Sequence, residues 1–417
     1  MAMKLCIFFM CLLFSTPRSS SSSQWTVQVR NHLKRLNKPP VKSIKSPDGD
    51  IIDCVHIYDQ PALDHPSLRN HTIEVTTFSM RPSVYPGGPL GYMELEKGSK
   101  SFTQLWQLNG RCPQGTIPIR RISKEDILRA SSIERFGMKK PNTIPHTSPT
   151  DIGPKENGHE YSIAYITGNG AKYYGAKGSL NVWKPIIQEP VEFSLAQTWV
   201  VAGPVDIGKL NSIESGWQVY PAQYGDNNPR VFIYWTKMNI RQSDGYQSKG
   251  CYNLMCPGFV QVSHEIALGS QILPISEYGG SQFDIQVNIW KDQNQGNWWL
   301  QYGNGEPLGY WPGSLFTFLA DSATLIEWGG EIVNKQTGGQ HTTTQMGSGH
   351  FPGEFFHKAA FFRNLKYVDN SNVLRDPQGL ATFVKQSPNC YDVKKYRGGP
   401  WEYYFYYGGP GRNPNCP

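Results

Sequence analysis

From residue 159 to the C-terminus the chain is cut into short β-branched and aromatic runs, none with helical periodicity. VEFSLAQTWVVAG, PRVFIYWTK, FDIQVNIWK, GNWWLQYG and PLGYWPGSLF are separated by Gly, Asn, Asp or Pro. Such residues suit a pleated, half-buried surface, and the breakers between them mark turns. The pattern predicts an all-β fold in which antiparallel sheets form a sandwich or barrel. Composition agrees: aromatics make up 13 % and charged residues only 18 %, alongside 42 Gly and 31 Pro.

The first 23 residues, MAMKLCIFFMCLLFSTPRSSSSS, have a basic start, an apolar run and small polar residues. They read as a cleaved secretory signal, since the apolar run is about half of what a membrane span requires. No later stretch is long and apolar enough to cross a bilayer. Removal of the signal takes Cys6 and Cys11 and leaves Cys54, Cys112, Cys251, Cys256, Cys390 and Cys416. An even number in an oxidising compartment implies disulfides. Six cysteines allow 15 connectivities, and proximity in sequence favours 54–112, 251–256 and 390–416. Asn70-His71-Thr72 is a glycosylation sequon at Asn70.

Residues 139–157, KKPNTIPHTSPTDIGPKEN, carry four prolines and almost nothing apolar. They read as a linker. The expected division is a signal at 1–23, an N-terminal domain at 24–140, a Pro-rich linker at 141–158 and a β domain at 159–417. Charge divides with it: residues 1–158 carry a net +8 and the remainder −1. The basic residues of QVRNHLKRLNKPPVKSIK have no aromatic platform among them, so nucleic acid is not the expected partner. A basic segment covering a carboxylate-rich cleft of the β domain is.

Within that domain TLIEWGGEI (residues 324–332) places Glu327 and Glu331 in an apolar run. Burying an unpaired carboxylate is expensive, so the placement asks for a function. The glycines make it a poor helix interior. As a strand it sets the two glutamates on one face roughly 13 Å apart, too far to share a proton. A partner must come from elsewhere, and Glu214 in LNSIESGWQVYP stands in a similar Trp/Gly setting.

Taken together, IESGWQVYP, SKGCYNLMCPGFVQ, GNWWL, GYWP, IEWGGEI and HTTTQMGSGHFP resemble the catalytic domain of the neprosin family, secreted plant glutamic peptidases that cleave after proline. DGDIIDCVHIYDQPALDHPSLRNHT and GRCPQGTIPIRR resemble the neprosin activation peptide. The resemblance implies a β-sandwich fold, a zymogen inhibited by its own propeptide, and proline-containing peptides or proteins as substrates. It implies catalysis by Glu214 in IESGWQVYP and by Glu331, the last residue of GGE. Glu327 is left without a role. The loop GPVDIGK (203–209) and the longer QYGNGEPLGY (301–310) depart from the family pattern.

A close carboxyl pair shares one proton, so one member can serve as base while the other serves as acid, with an acidic optimum. Gln218, Tyr234, Gln345, Trp217 and Trp328 are candidates for binding substrate or the oxyanion. Other chemistries fit less well. His264-Glu265 lacks the second histidine of HExxH, no serine sits in G-x-S-x-G, and no metal or cofactor is expected. His341 and His350, nine apart, read as structural. A two-carboxylate glycosidase and a non-catalytic protein binding peptide or cell-wall glycan stay open on generic features.

Overall fold

The computed structural model describes residues 20–69, 71, 73, 81–87, 102–130, 132–133, 136–139, 158–204, 210–236, 250–303, 305–385 and 387–417. Residues 1–19 of the expected signal, the sequon at Asn70, most of the 203–209 loop and nearly all of the linker lie outside them, and residues 20–23 of the expected signal begin a helix.

The N-terminal region opens with a helix, α1 (Ser20–Leu36). A three-stranded sheet follows, built from β1 (Pro40–Lys45), β2 (Ile51–His56) and β4 (Thr116–Arg120) in that order. The short strand β3 (Thr103–Gln104) and the helix α2 (Lys124–Arg129) complete it. Ser123 caps α2 and Asp126 reaches back to the Ser123 amide, satisfying two otherwise unpaired helix N–H groups.

The remainder is two antiparallel sheets. The first runs β10 (Gly250–Tyr252), β9 (Arg230–Thr236), β8 (Asn211–Val219), β7 (Ser194–Ala202), β16 (Leu325–Val333), β5 (His159–Thr167) and β19 (Ala381–Val384). The second runs β11 (Val260–Gln261), β15 (Gly309–Trp311), β14 (Trp298–Tyr302), β13 (Asp284–Lys291), β6 (Gly175–Asn181), β17 (Ala360–Val368), β21 (Tyr403–Gly408) and β20 (Asp392–Arg397). β18 (Leu374–Arg375) pairs with β17, and β12 (Ile272–Leu273) pairs with β3 of the N-terminal region. This is the expected β-sandwich.

Strand alternation assigns the faces. Trp217 of β8 donates its indole N–H to the Asn181 carbonyl of β6, and the Trp235 ring of β9 meets Trp311 of β15. Ser215 and the Phe232 carbonyl both bond the Tyr302 hydroxyl of β14. These residues and Trp328 fill the layer between the sheets. Glu214, Glu327 and Glu331 sit at alternate positions and share the opposite, outer face of the seven-stranded sheet. That face is buried too, and Lys139 of the N-terminal region reaches onto it at Glu214 and Glu331.

All three expected disulfides are present: Cys54–Cys112, Cys251–Cys256 and Cys390–Cys416. None joins the N-terminal region to the sandwich. The two are held together by other means. Gln60 exchanges hydrogen bonds with the Gln261 backbone, and Gln104 with that of Ala267. The buried Arg230 of β9 reaches Asp50 of the N-terminal region at 2.6 Å and the Gly269 carbonyl at 2.7 Å. At this contact the acid comes from the net-basic part and the cation from the net-acidic part. Docking rests on specific pairs rather than on the overall charge asymmetry.

Candidate active site

The strand registers place Glu214 opposite Trp199, which in turn lies opposite Glu327, while Glu331 lies one column over and two residues further along β16 from Gly329. The row between them reads Gly329, Gln197, Gly216 across β16, β7 and β8. A Cβ at Gly216 would meet the Ala196 carbonyl at 1.9 Å, and Gly329 adopts φ 155°. Only glycine fits either position, so the floor between the carboxyl groups is bare apart from Gln197.

One cation joins the carboxyl groups across that floor. Lys139 Nζ lies 3.0 Å from Glu214 Oε2 and 2.9 Å from Glu331 Oε2, so these oxygens are no farther apart than twice 3.0 Å. All three side chains are buried. The lysine arrives on the segment 136–139, whose Gly137 carbonyl accepts the amide of Tyr252 on the edge strand β10. Its ammonium also lies over the rings of Phe193 and Tyr234, at 5.9 and 5.5 Å. The two glutamates predicted to form a pair are brought together, and the cation that bridges them is Lys139, outside the basic segment 28–45 expected to cover the cleft. Lys139 opens the stretch read from sequence as linker.

The carboxyl groups have unequal surroundings. Glu331 Oε1 accepts from His159 Nδ1 at 2.6 Å, and its Oε2 accepts from Gln197 Nε2 at 3.2 Å. Glu214 Oε1 accepts from the Ser212 hydroxyl at 2.9 Å. Burial alone would raise the Glu331 pKa, but the Lys139 charge and the His159 hydrogen bond outweigh it and hold it below the usual range. Burial lowers the pKa of Lys139 as well, and the two carboxylates more than reverse this. His159 is held below its ordinary value by burial, against the pull of Glu331. The site is therefore a carboxyl pair bridged by an ammonium, which holds Glu331 in its ionised form.

The other sequence candidates separate. Tyr234 stands in the row of Glu214, its hydroxyl pushed up by burial and by the Glu214 charge. Gln218 is on the outer face but donates to the Tyr224 hydroxyl at 2.8 Å. Gln345 is spent on the Ile186 amide, at 3.0 Å, and does not join the pair. Trp217 and Trp328 point into the inter-sheet core, so neither lines the cleft; three- and one-residue offsets from a cleft glutamate put them on the wrong face. His159, Gln197 and Ser212 carry no signal in the sequence motifs, although Ser212 falls two residues before Glu214 and so on its face if that stretch is a strand. A grouping of His341 with Cys390 and Cys416 offers no metal site, because both sulfurs are in a disulfide.

A family model for neprosin matches residues 190–410. The chain belongs to the neprosin family. The model for the neprosin activation peptide matches residues 43–165, a span that contains Lys139 and reaches into β5. Membership supports a protease, and the activation-peptide match supports regulation from within the chain. Among solved structures, this neprosin-family chain is similar to scytalido-glutamic peptidase, at 10 % identity over 61 % of this chain and 98 % of that one, with a TM-score of 0.32. It is similar to SCP-B, of the eqolisin family of peptidases, at 11 % identity, 61 % and 98 % coverage, and a TM-score of 0.31. The β-porphyranase BpGH16B of Bacteroides plebeius matches at 10 % identity, 40 % and 55 % coverage, and a TM-score of 0.21. Superpositions this loose carry no argument about the site. The site is argued from this chain's own geometry.

Proposed function

We propose that this neprosin-family protein is a secreted glutamic endopeptidase, made as a zymogen, that hydrolyses peptide bonds on the carboxyl side of proline in acid. The observation that carries the reading is the pair Glu214–Glu331 bridged by Lys139. Two carboxyl groups this close are suited to sharing a proton once the ammonium withdraws, leaving one as base and one as acid. His159 and Gln197 both donate to Glu331, so Glu331 is the member that stays ionised and draws the proton from water. Glu214 is then the member that gives a proton to the leaving amine. The bare glycine floor lets an extended peptide backbone lie close to both.

The division into signal (1–23), activation segment (24–140), linker (141–158) and catalytic domain (159–417) belongs to this reading, as does secretion to the extracellular space or the vacuole. In the latent form Lys139 occupies the place of the attacking water and holds Glu331 ionised, so the pair cannot share a proton and no nucleophile is available. No cofactor is required. Digestion of a proline-containing protein by the acidified chain, with the cut sites read by mass spectrometry, tests the proposal. Cleavage after proline supports it. Sugar release from glycans, or binding without turnover, refutes it.

A further inference from the structure

Glu327 is the third carboxyl of the outer face, and the hydrolytic reading leaves it unused. It is fully buried, and neither of its oxygens has a hydrogen-bond partner among the described residues. Across the sheet it stands in the row Tyr165, Glu327, Trp199, Glu214, Tyr234. The indole N–H of its neighbour Trp199 is equally unpaired and buried. Buried polar groups normally have partners, and those that lack one call for a cause. Two such groups side by side, in the row of Glu214, mark a place where the partner arrives only when the covering segment leaves.

Burial, followed by the negative charges of Glu214 and Glu331, holds the Glu327 carboxyl well above the usual carboxylate range. In acid it therefore carries a proton, and a protonated carboxyl is a hydrogen-bond donor. The other ionisable groups facing it are Tyr161 and Tyr165 on β5, Glu214 on β8, Tyr234 on β9, Glu331 on its own strand and Lys139 from the N-terminal region. Of these only Lys139 is cationic, and it is engaged by the other two glutamates.

We propose that Glu327 and Trp199 form a substrate subsite beside the Glu214–Glu331 pair, donating hydrogen bonds to backbone carbonyl oxygens of the bound peptide. This rests on the reading that the cleft receives peptide. The subsite adds a pH limit of its own. As pH rises through the Glu327 pKa the donor is lost and a negative charge is left facing the peptide carbonyl, so substrate binding weakens from the alkaline side.

The test compares the acid-converted full chain with Glu327→Gln and Glu327→Leu, using a peptide with one central proline. Glu327→Leu should raise KM roughly tenfold, the loss expected for one hydrogen bond, with a smaller change in kcat. Glu327→Gln keeps a donor of the same shape and should restore KM, with an alkaline limb that lies at higher pH than in wild type. Thermal melting of the latent form should rise in Glu327→Leu, because an unpaired buried carboxyl is removed, whereas a structural role would lower it. The same peptide's affinity for the Glu331→Gln protein, with and without Glu327→Leu, reads binding apart from turnover. Affinity weakened by Glu327→Leu, together with a wild type that cleaves nothing, would keep the subsite and refute the hydrolytic reading. Unchanged affinity and KM in Glu327→Leu would overturn the subsite. If that variant does not fold, identical alkaline limbs for wild type and Glu327→Gln would overturn it instead.

Discussion

Lys139 Nζ stands 2.9 Å from Glu331 Oε2, both fully buried, with the lysine supplied by the N-terminal region and the glutamate by the sandwich. Each group depends on the other, since removing one partner of a buried ion pair costs about 3–5 kcal/mol. Lys139→Met keeps the volume and removes the charge, leaving two buried carboxylates facing each other. The variant should open at a higher pH than wild type and should show peptidase activity where wild type is silent. The pH of half-conversion of the full-length chain, read on gels, measures this. An unchanged midpoint contradicts it.

The sign of the pH effect follows from the two shifts. Glu331 is held below its usual pKa, so its contribution to the closed form is present above the unfolded carboxylate value, about 4.3, and is lost as pH falls through the lower folded one. Lys139 is held above its usual value, so its contribution is complete below about 10.4 and is lost only in strong alkali. Between these limits the latch is closed. Hydrogen exchange at the 136–139 backbone should stay slow from neutral pH to mild acid and become fast below about pH 4.3.

Glu214→Gln and Glu331→Gln should each lower kcat by about 10²–10⁴, with the far-ultraviolet spectrum unchanged. Glu327→Gln should do much less, because it neither removes a proton-transfer group nor alters shape. Comparable losses in all three would place the chemistry elsewhere on the face.

Gln197 donates to Glu331 in the middle of the glycine floor, at 3.2 Å. Gln197→Leu removes a donor to the ionised form and so raises the Glu331 pKa. Activity that requires ionised Glu331 is lost as pH falls, so the acid limb of kcat/KM should move up by about one pH unit. An acid limb that stays in place while the alkaline limb moves up would show that Glu331 works as the acid.

Arg230 holds Asp50 of the N-terminal region at 2.6 Å and Asp226 of its own at 2.5 Å, almost wholly buried. Arg230→Met should destabilise the full-length chain by about 1–3 kcal/mol, because it removes charged hydrogen bonds to Asp50, which keeps Arg120 at 2.9 Å, and to the part-exposed Asp226. Urea unfolding measures the loss, and Asp50→Asn should show a smaller one. An unchanged midpoint in Arg230→Met would show that docking does not depend on this cluster.

The sandwich was legible because β-branched and aromatic runs between turn residues leave few alternatives to strands. The disulfides were legible because each pair closes a local loop. Glu214 and Glu331 stood out through the Trp/Gly motifs that carry the family likeness, not through spacing: 117 positions separate them, and only the pairing of both β8 and β16 with β7 brings them to one face. Lys139 was hidden for the opposite reason. In a Pro-rich stretch a lysine looks solvated, and nothing local signals that the chain carries it into a cleft. The wrong placement of Trp217 and Trp328 was avoidable, since period-two alternation already separates them from the glutamates. The Arg230–Asp50 contact was not, because net charge says nothing about individual pairs.

The measurement that tests the central claim most directly is a pH step applied to purified full-length wild type and to the Glu331→Gln protein, followed by mass spectrometry. The wild type should stay intact at neutral pH. In acid it should release a fragment beginning in the linker, where Pro141, Pro145, Pro149 and Pro154 offer sites to a proline-directed peptidase. Without reductant the two parts should separate, as no disulfide joins them. The Glu331→Gln protein should remain full length throughout. Equal nicking of the two proteins in acid would contradict self-processing by this glutamate pair.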